Sequence, residues 1–246
     1  MRQNGDSMRA YAATDVGMKR SVNQDCIYSS LEPVGKLDNL FIVADGMGGH
    51  KAGDVASRYT VENFVELVKE SKEKDIITLI NNAIANVNEG LYEKACSGED
   101  YAGMGTTLVV ATISDNVLKV ANVGDSRLYI VGDDICQVTR DHSYVEELVS
   151  SGKINRTEAR EHEKKNVITR AIGGCESVEA EMFSVELRKG EKIVMCSDGL
   201  SNMVEDADIM KVVNETDDLS QVCEILIEMA NSNGGKDNIS VIIIEP

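Results

Sequence analysis

Short apolar runs that stop at an aspartate beside a turn residue recur from one end of the chain to the other. They constrain the fold more than any other feature. The motifs are R-S-V-N-Q-D at 20–25, A-D-G-M-G-G-H at 44–50 and G-D-S-R at 124–127. R-D-H-S at 140–143, S-D-G at 197–199 and K-D-N at 236–238 complete the set. A strand that ends this way holds its carboxylate rigidly and aims it. Several hard anionic oxygens aimed at one point require a cation, so the pattern predicts a Mg²⁺ or Mn²⁺ site.

The runs themselves are β-branched or alternate in polarity, and ten read as strands. They cover 8–13, 26–31, 40–44, 107–113, 118–123, 127–131, 135–138, 182–187, 192–196 and 239–244. Asp115 with Asn116, and Gly132 to Asp134, separate neighbouring runs at hairpin spacing, which predicts antiparallel pairing. Helical periodicity appears elsewhere: over 52–68 through Val55, Ala56, Tyr59, Phe64, Val65 and Val68, and over 75–95 through Ile76, Ile77, Ile80, Ile84, Val87 and Leu91. A third helix over 219–230 has Asp218 as N-cap and Gly234 soon after its end. Strands segregated from helices indicate an α+β fold. With two prolines, no repeat and no linker-like tract, residues 1–246 read as a single domain. The stretch 143–167 is charged, poor in apolar residues and weakly helical, and reads as a surface excursion.

A hydrophobic content of 42% supports a substantial core. The formal charge of -17, from 42 acidic and 25 basic residues, argues against nucleic acid or anionic lipid as partner. No apolar run nears the ~20 residues that span a bilayer, and the first residues lack the apolar core of a secretory signal. The six cysteines form no C-x-x-C pair and resemble small buried hydrophobes of a reducing, cytoplasmic interior. There is no G-x-S-x-G, H-E-x-x-H or phosphate-loop motif. Three scattered histidines cannot dominate a metal shell, which leaves carboxylate, carbonyl and water, hence Mg²⁺ or Mn²⁺ rather than Zn²⁺.

Asp45 is the foremost candidate. It follows the run L-F-I-V-A and precedes Gly46, whose bare backbone leaves a carbonyl free to bind. Asp198 repeats the arrangement after K-I-V-M-C-S, and Asp237 precedes the last strand. An isolated Asp-Gly is an ordinary turn; three aspartates at strand ends, two of them in Asp-Gly, point to ligands. Arg20, five residues before Asp25, is either a surface arginine or a planar fork for a phosphate dianion. Arg127 reads as a lock on the turn that carries Asp125.

Taken in order, these motifs, with M-G-T-T at 104–107 and T-R-A-I-G at 169–173, resemble the metal-dependent type 2C serine/threonine protein phosphatases, and most their compact bacterial branch. The resemblance covers about 9–245. It implies a central β-sandwich of two antiparallel sheets flanked by helices on both faces, with metals in a cleft at one end. It further implies that Asp45 bridges two Mg²⁺ or Mn²⁺ ions, that Asp198 and Asp237 complete the first, and that the Gly46 carbonyl binds the second. Asp25 would hold metal-bound water, Arg20 the substrate phosphate, and Asp125 with Asp198 a third, weaker ion. The stretch 143–167 corresponds to the family's variable flap.

The activity so implied is hydrolysis of phosphoserine and phosphothreonine by a metal-bridging hydroxide, with no protein nucleophile. A bacterial Ser/Thr kinase would be the opposing enzyme, and a monomer the expected state. Two positions depart from the animal members: Gln24 stands where they carry Glu, and Met47 where they carry a proposed acid, His. His50 is expected to be structural. Rival readings are a phosphatase of the same fold acting on another phosphoryl group, a non-catalytic binding member and a metal-dependent nuclease.

Overall fold

The computed structural model describes residues 8–49 and 52–246. β1 (Arg9–Asp15), β2 (Asp25–Ser30) and β3 (Leu40–Met47) lead into two long helices, α1 (Ala52–Glu70) and α2 (Ile76–Cys96). The strands β4 (Gly105–Thr106), β5 (Leu108–Ser114), β6 (Val117–Val123), β7 (Arg127–Val131) and β8 (Ile135–Gln137) follow. Two short helices, α3 (Tyr144–Ser150) and α4 (Arg156–Glu161), precede β9 (Glu181–Glu186) and β10 (Lys192–Cys196). The chain ends with α5 (Asp198–Ser201), α6 (Asp206–Glu215), α7 (Leu219–Ser232) and β11 (Ile239–Glu245).

The period of two along β3 shows why the strands stack in layers. Leu40, Ile42 and Ala44 face α1 and α2, while Phe41 and Val43 face the other sheet, and all five are fully buried. β11 does the same: Ile239, Val241 and Ile243 pack towards α5, α6 and α7, and Ile242 and Ile244 face inward. Two sheets result, ordered β1-β11-β10-β7-β8 and β2-β3-β5-β6-β9, with β4 attached to β3. Every pairing between strands is antiparallel. The sandwich thus has an inner core between its sheets and an outer core beneath the helices on each face, which is the expected α+β architecture. Each fully buried Leu, Ile or Phe in these layers contributes about 1.5–3 kcal/mol.

Local chemistry sets the boundaries. Asp115 and Asn116 adopt φ of 48° and 62°, the mirror-image turn that matches the twist of the β5–β6 hairpin. Asp75 and Asp218 cap α2 and α7 by accepting from Thr78 N at 2.8 Å and Ser220 N at 2.9 Å.

Two expectations need correction. The stretch 143–167 is more helical than its composition indicated, because caps replace apolar burial. Ser143 caps α3, an Asn155–Glu158 capping box starts α4, and Arg156 pairs with the buried Glu146. Second, β3 does not end at Asp45 but runs on to Met47, because Gly46 and Met47 pair with β4. Among the described residues, no helix is long and apolar enough to cross a membrane.

Candidate metal centre

Asp25 opens β2 and lies directly opposite Asp45 in the β2–β3 ladder. Like charges facing each other across a ladder destabilise it, so this register demands an offsetting charge. Asp198 opens α5 just past β10, Asp237 lies two residues before β11, and Asp125 sits in the turn between β6 and β7. Where these strand ends meet, Arg20, Asp45, Gly46, Asp125, Asp198 and Asp237 line one cavity of about 230 Å³. Gln24 and Met47 line it as well. Asp25 is not in the lining. It is buried behind, where its Oδ2 accepts from Ser197 Oγ at 2.8 Å and Ser240 Oγ at 2.7 Å.

The backbone around Asp45 is braced from M-G-T-T. Its N–H donates to Thr107 Oγ1 at 2.9 Å, and its carbonyl accepts from Thr106 Oγ1 at 2.8 Å. Thr107 Oγ1 in turn shares a 2.7 Å hydrogen bond with Ser126 Oγ, joining that motif to G-D-S-R. The glycines after Asp45 and Asp198 are there for close approach. A Cβ on Gly46 would lie 2.0 Å from the Gly53 carbonyl oxygen, and one on Gly199 1.9 Å from that of Asn238.

Several motif residues are scaffold. Arg127 does not hold the Asp125 turn: its Nη2 donates to Asp141 at 2.7 Å and its Nη1 to the Tyr129 hydroxyl at 2.9 Å. The lock on that turn is His142, whose Nδ1 accepts from Gly124 N at 3.0 Å. Asn238 pins the loop that carries Arg20. Its Oδ1 accepts from Gln24 N at 2.8 Å, and its Nδ2 donates to Val16 O at 2.9 Å and Val22 O at 3.0 Å. The sequence signal for this role was a polar residue immediately before the largely apolar last strand. Arg20 is half exposed and donates to Asp237 Oδ2 at 2.8 Å. His50 lies outside the described residues.

Burial and mutual repulsion dominate the electrostatics. Burial, reinforced by Asp198 and Asp237, pushes the Asp25 carboxyl up to about 7, against the lowering effect of its two serine hydroxyls. Burial and then Asp237 push Asp198 up to about 6. Asp45 and Asp125 are raised well above the usual carboxylate range, first by burial and then by the surrounding aspartates. One oxygen each of Asp25 and Asp198, Oδ1 in both, is buried with no hydrogen-bond partner. An unsatisfied buried acceptor costs about 1–3 kcal/mol, and more if charged.

Hard divalent cations fit this donor set, since they would offset the repulsion and take up the orphaned oxygens. Among the described residues, no three Asp, Glu, His or Cys side chains already close into an ion cage. Asp25 is turned to Ser197 and Ser240, and Asp237 to Arg20, so a cation competes with these donors.

Residues 18–238 match the family model for protein phosphatase 2C, and the chain belongs to that family. The serine/threonine phosphatase stp of Listeria innocua is 39% identical over 97% of this chain and 96% of its own length. The solved serine/threonine phosphatase Stp1 from Staphylococcus aureus superposes with a TM-score of 0.91 at 32% identity, covering 98% of this chain and 96% of that one. The catalytic domain of the phosphatase PstP, solved in complex with two manganese ions, gives 0.85 at 32% identity, with 97% of each chain covered.

Proposed function

We propose that this chain is a serine/threonine protein phosphatase whose clustered aspartates hold two Mn²⁺ or Mg²⁺ ions. The observation that carries the reading is the convergence of Asp45, Asp125, Asp198 and Asp237 on one cavity beside Arg20, with buried acceptors left unpaired. Such ions supply Lewis acidity, charge neutralisation and a water of lowered pKa. Asp45, Asp198, Asp237 and the Gly46 carbonyl would hold the two ions, and Asp125 with Asp198 would hold a third more weakly. Asp25, fixed by two serines, would orient water beside them. Arg20 exchanges Asp237 for the oxygens of the substrate phosphate, and its planar fork fixes the phosphorus in line for attack. Among the described residues no histidine lines the cavity, and on this reading solvent is the proton source for the departing alkoxide.

Residues 1–246 form one phosphatase domain, with the flap at 143–167 beside the site. The acidic surface, of net charge -17, suits phosphoprotein rather than nucleic acid substrates. The remaining expectations stand with this reading: a cytoplasmic monomer that reverses a serine/threonine kinase.

Turnover of a phosphothreonine peptide with and without Mn²⁺, for wild type and Asp198→Ala, tests it. Wild type is expected to need the ion, and Asp198→Ala to lose roughly 100-fold or more in kcat. Full wild-type activity in excess chelator would reject the metal chemistry. Near-native turnover by Asp198→Ala would reject the ligand assignment.

A further inference from the structure

The segment that closes one side of the catalytic cavity also bounds a second cavity, of about 490 Å³. Met47 and Ile168 belong to both walls, so the two spaces adjoin across an apolar sill. Beyond the sill the lining includes Ala171, Cys175 and Val178. Its arginine, Arg170, is already engaged, donating to Glu179 O at 2.9 Å and facing His142 Nε2 at 3.3 Å.

The wall of this second cavity is held in place by groups that the catalytic centre does not use. Asn88 on α2 is buried, with 1% exposure. Its Oδ1 accepts from Gly173 N at 2.8 Å, and its Nδ2 donates to Cys175 O at 3.1 Å and Glu176 O at 3.2 Å. Ile172 exchanges two backbone hydrogen bonds with Thr106, at 2.9 and 3.1 Å, next to the threonine that braces Asp45. Gly173 has φ of 79°, and a Cβ there would lie 2.7 Å from Leu91, so this turn excludes other residues. A buried amide and a left-handed glycine therefore fix the cavity relative to the catalytic centre.

From this geometry we propose that the second cavity receives an apolar side chain of the substrate, one or two residues from the phosphorylated one. The inference rests on the phosphatase reading above. A phosphoresidue seated at Arg20 places its neighbours about 3.3–3.6 Å apart along an extended chain, so they cross the Met47–Ile168 sill in succession. An aliphatic or aromatic side chain there displaces water from apolar walls. An acidic one meets Glu179 on a surface of net charge -17, against the single charge of Arg170, whose Nη1 is held by the Glu179 carbonyl. Docking of this kind separates substrates by the sequence beside the phosphate, independently of the metal chemistry.

The test is a panel of phosphothreonine peptides carrying Leu, Phe, Ala or Asp at each of the two positions on either side. It is run with wild type and with Ser177→Phe and Ala171→Leu, which each add bulk to the cavity wall. At one position, wild type is expected to favour Leu or Phe roughly tenfold in kcat/KM, through KM. Both variants should lose that preference while cleaving p-nitrophenyl phosphate within about twofold of wild type. Equal turnover of all peptides by wild type, or a preference that survives both variants, overturns the subsite alone. Cleavage of p-nitrophenyl phosphate with no peptide turned over by wild type overturns the protein-phosphatase reading and the subsite with it.

Discussion

Asp25 and Asp45 face each other across a ladder, buried and of like charge, an arrangement that costs stability in the absence of a counter-ion. Function and stability therefore pull in opposite directions at this pair. Asp45→Asn keeps the shape and removes one charge. In chelator it is expected to melt higher than wild type, by roughly 1–2 kcal/mol or a few degrees, while losing turnover in Mn²⁺. A lower melting temperature in chelator would show that the pair is not repulsive. At this scale the aspartates were legible, because each stood where an apolar run broke. Their braces were not. Thr107, Ser197 and Ser240 are small hydroxyls inside or beside strands, and nothing in their spacing distinguishes a buried support from a surface polar residue.

Among the elements, the strands were the most legible part, since burial on both faces gives runs such as L-F-I-V-A in β3 and I-S-V-I-I-I in β11. The shorter helices escaped for physical reasons. α5 has four residues, α6 buries only Ile209 and Val213, and α3 and α4 bury Glu146 and Ala159 rather than an apolar stripe. β4 is two residues long, too short for any periodicity. The loop between β1 and β2 matters more, because it carries Arg20 and is held by Asn238 through three hydrogen bonds. Asn238→Ala leaves the carbonyls of Val16 and Val22 and the N–H of Gln24 without these partners. It is expected to cost about 2–4 kcal/mol of stability and to raise KM for phosphopeptides more than it lowers kcat. An unchanged KM would mean that the loop holds its position without Asn238.

For the whole molecule, the account rests on one exchange: buried carboxylates take either protons or divalent cations. Carboxyls with raised folded-state pKa keep protons that the unfolded chain has released above about pH 4. Stability of the metal-free protein therefore falls as pH rises and these groups ionise, Asp198 at about 6 and Asp25 at about 7 among them. His142 shifts the other way, lowered chiefly by burial, and its cost of charging is felt mainly as pH falls below about 6.5, the ordinary histidine value. Between pH 6.5 and 8 the aspartates outweigh the residual titration of His142. The most direct test is the melting temperature in chelator and in excess Mn²⁺ at those two values. The chelated protein is predicted to melt lower at pH 8 than at pH 6.5, and Mn²⁺ to raise the melting temperature at both, more at pH 8. A melting temperature that Mn²⁺ leaves unmoved at both values would contradict the claim that these carboxylates converge to hold cations.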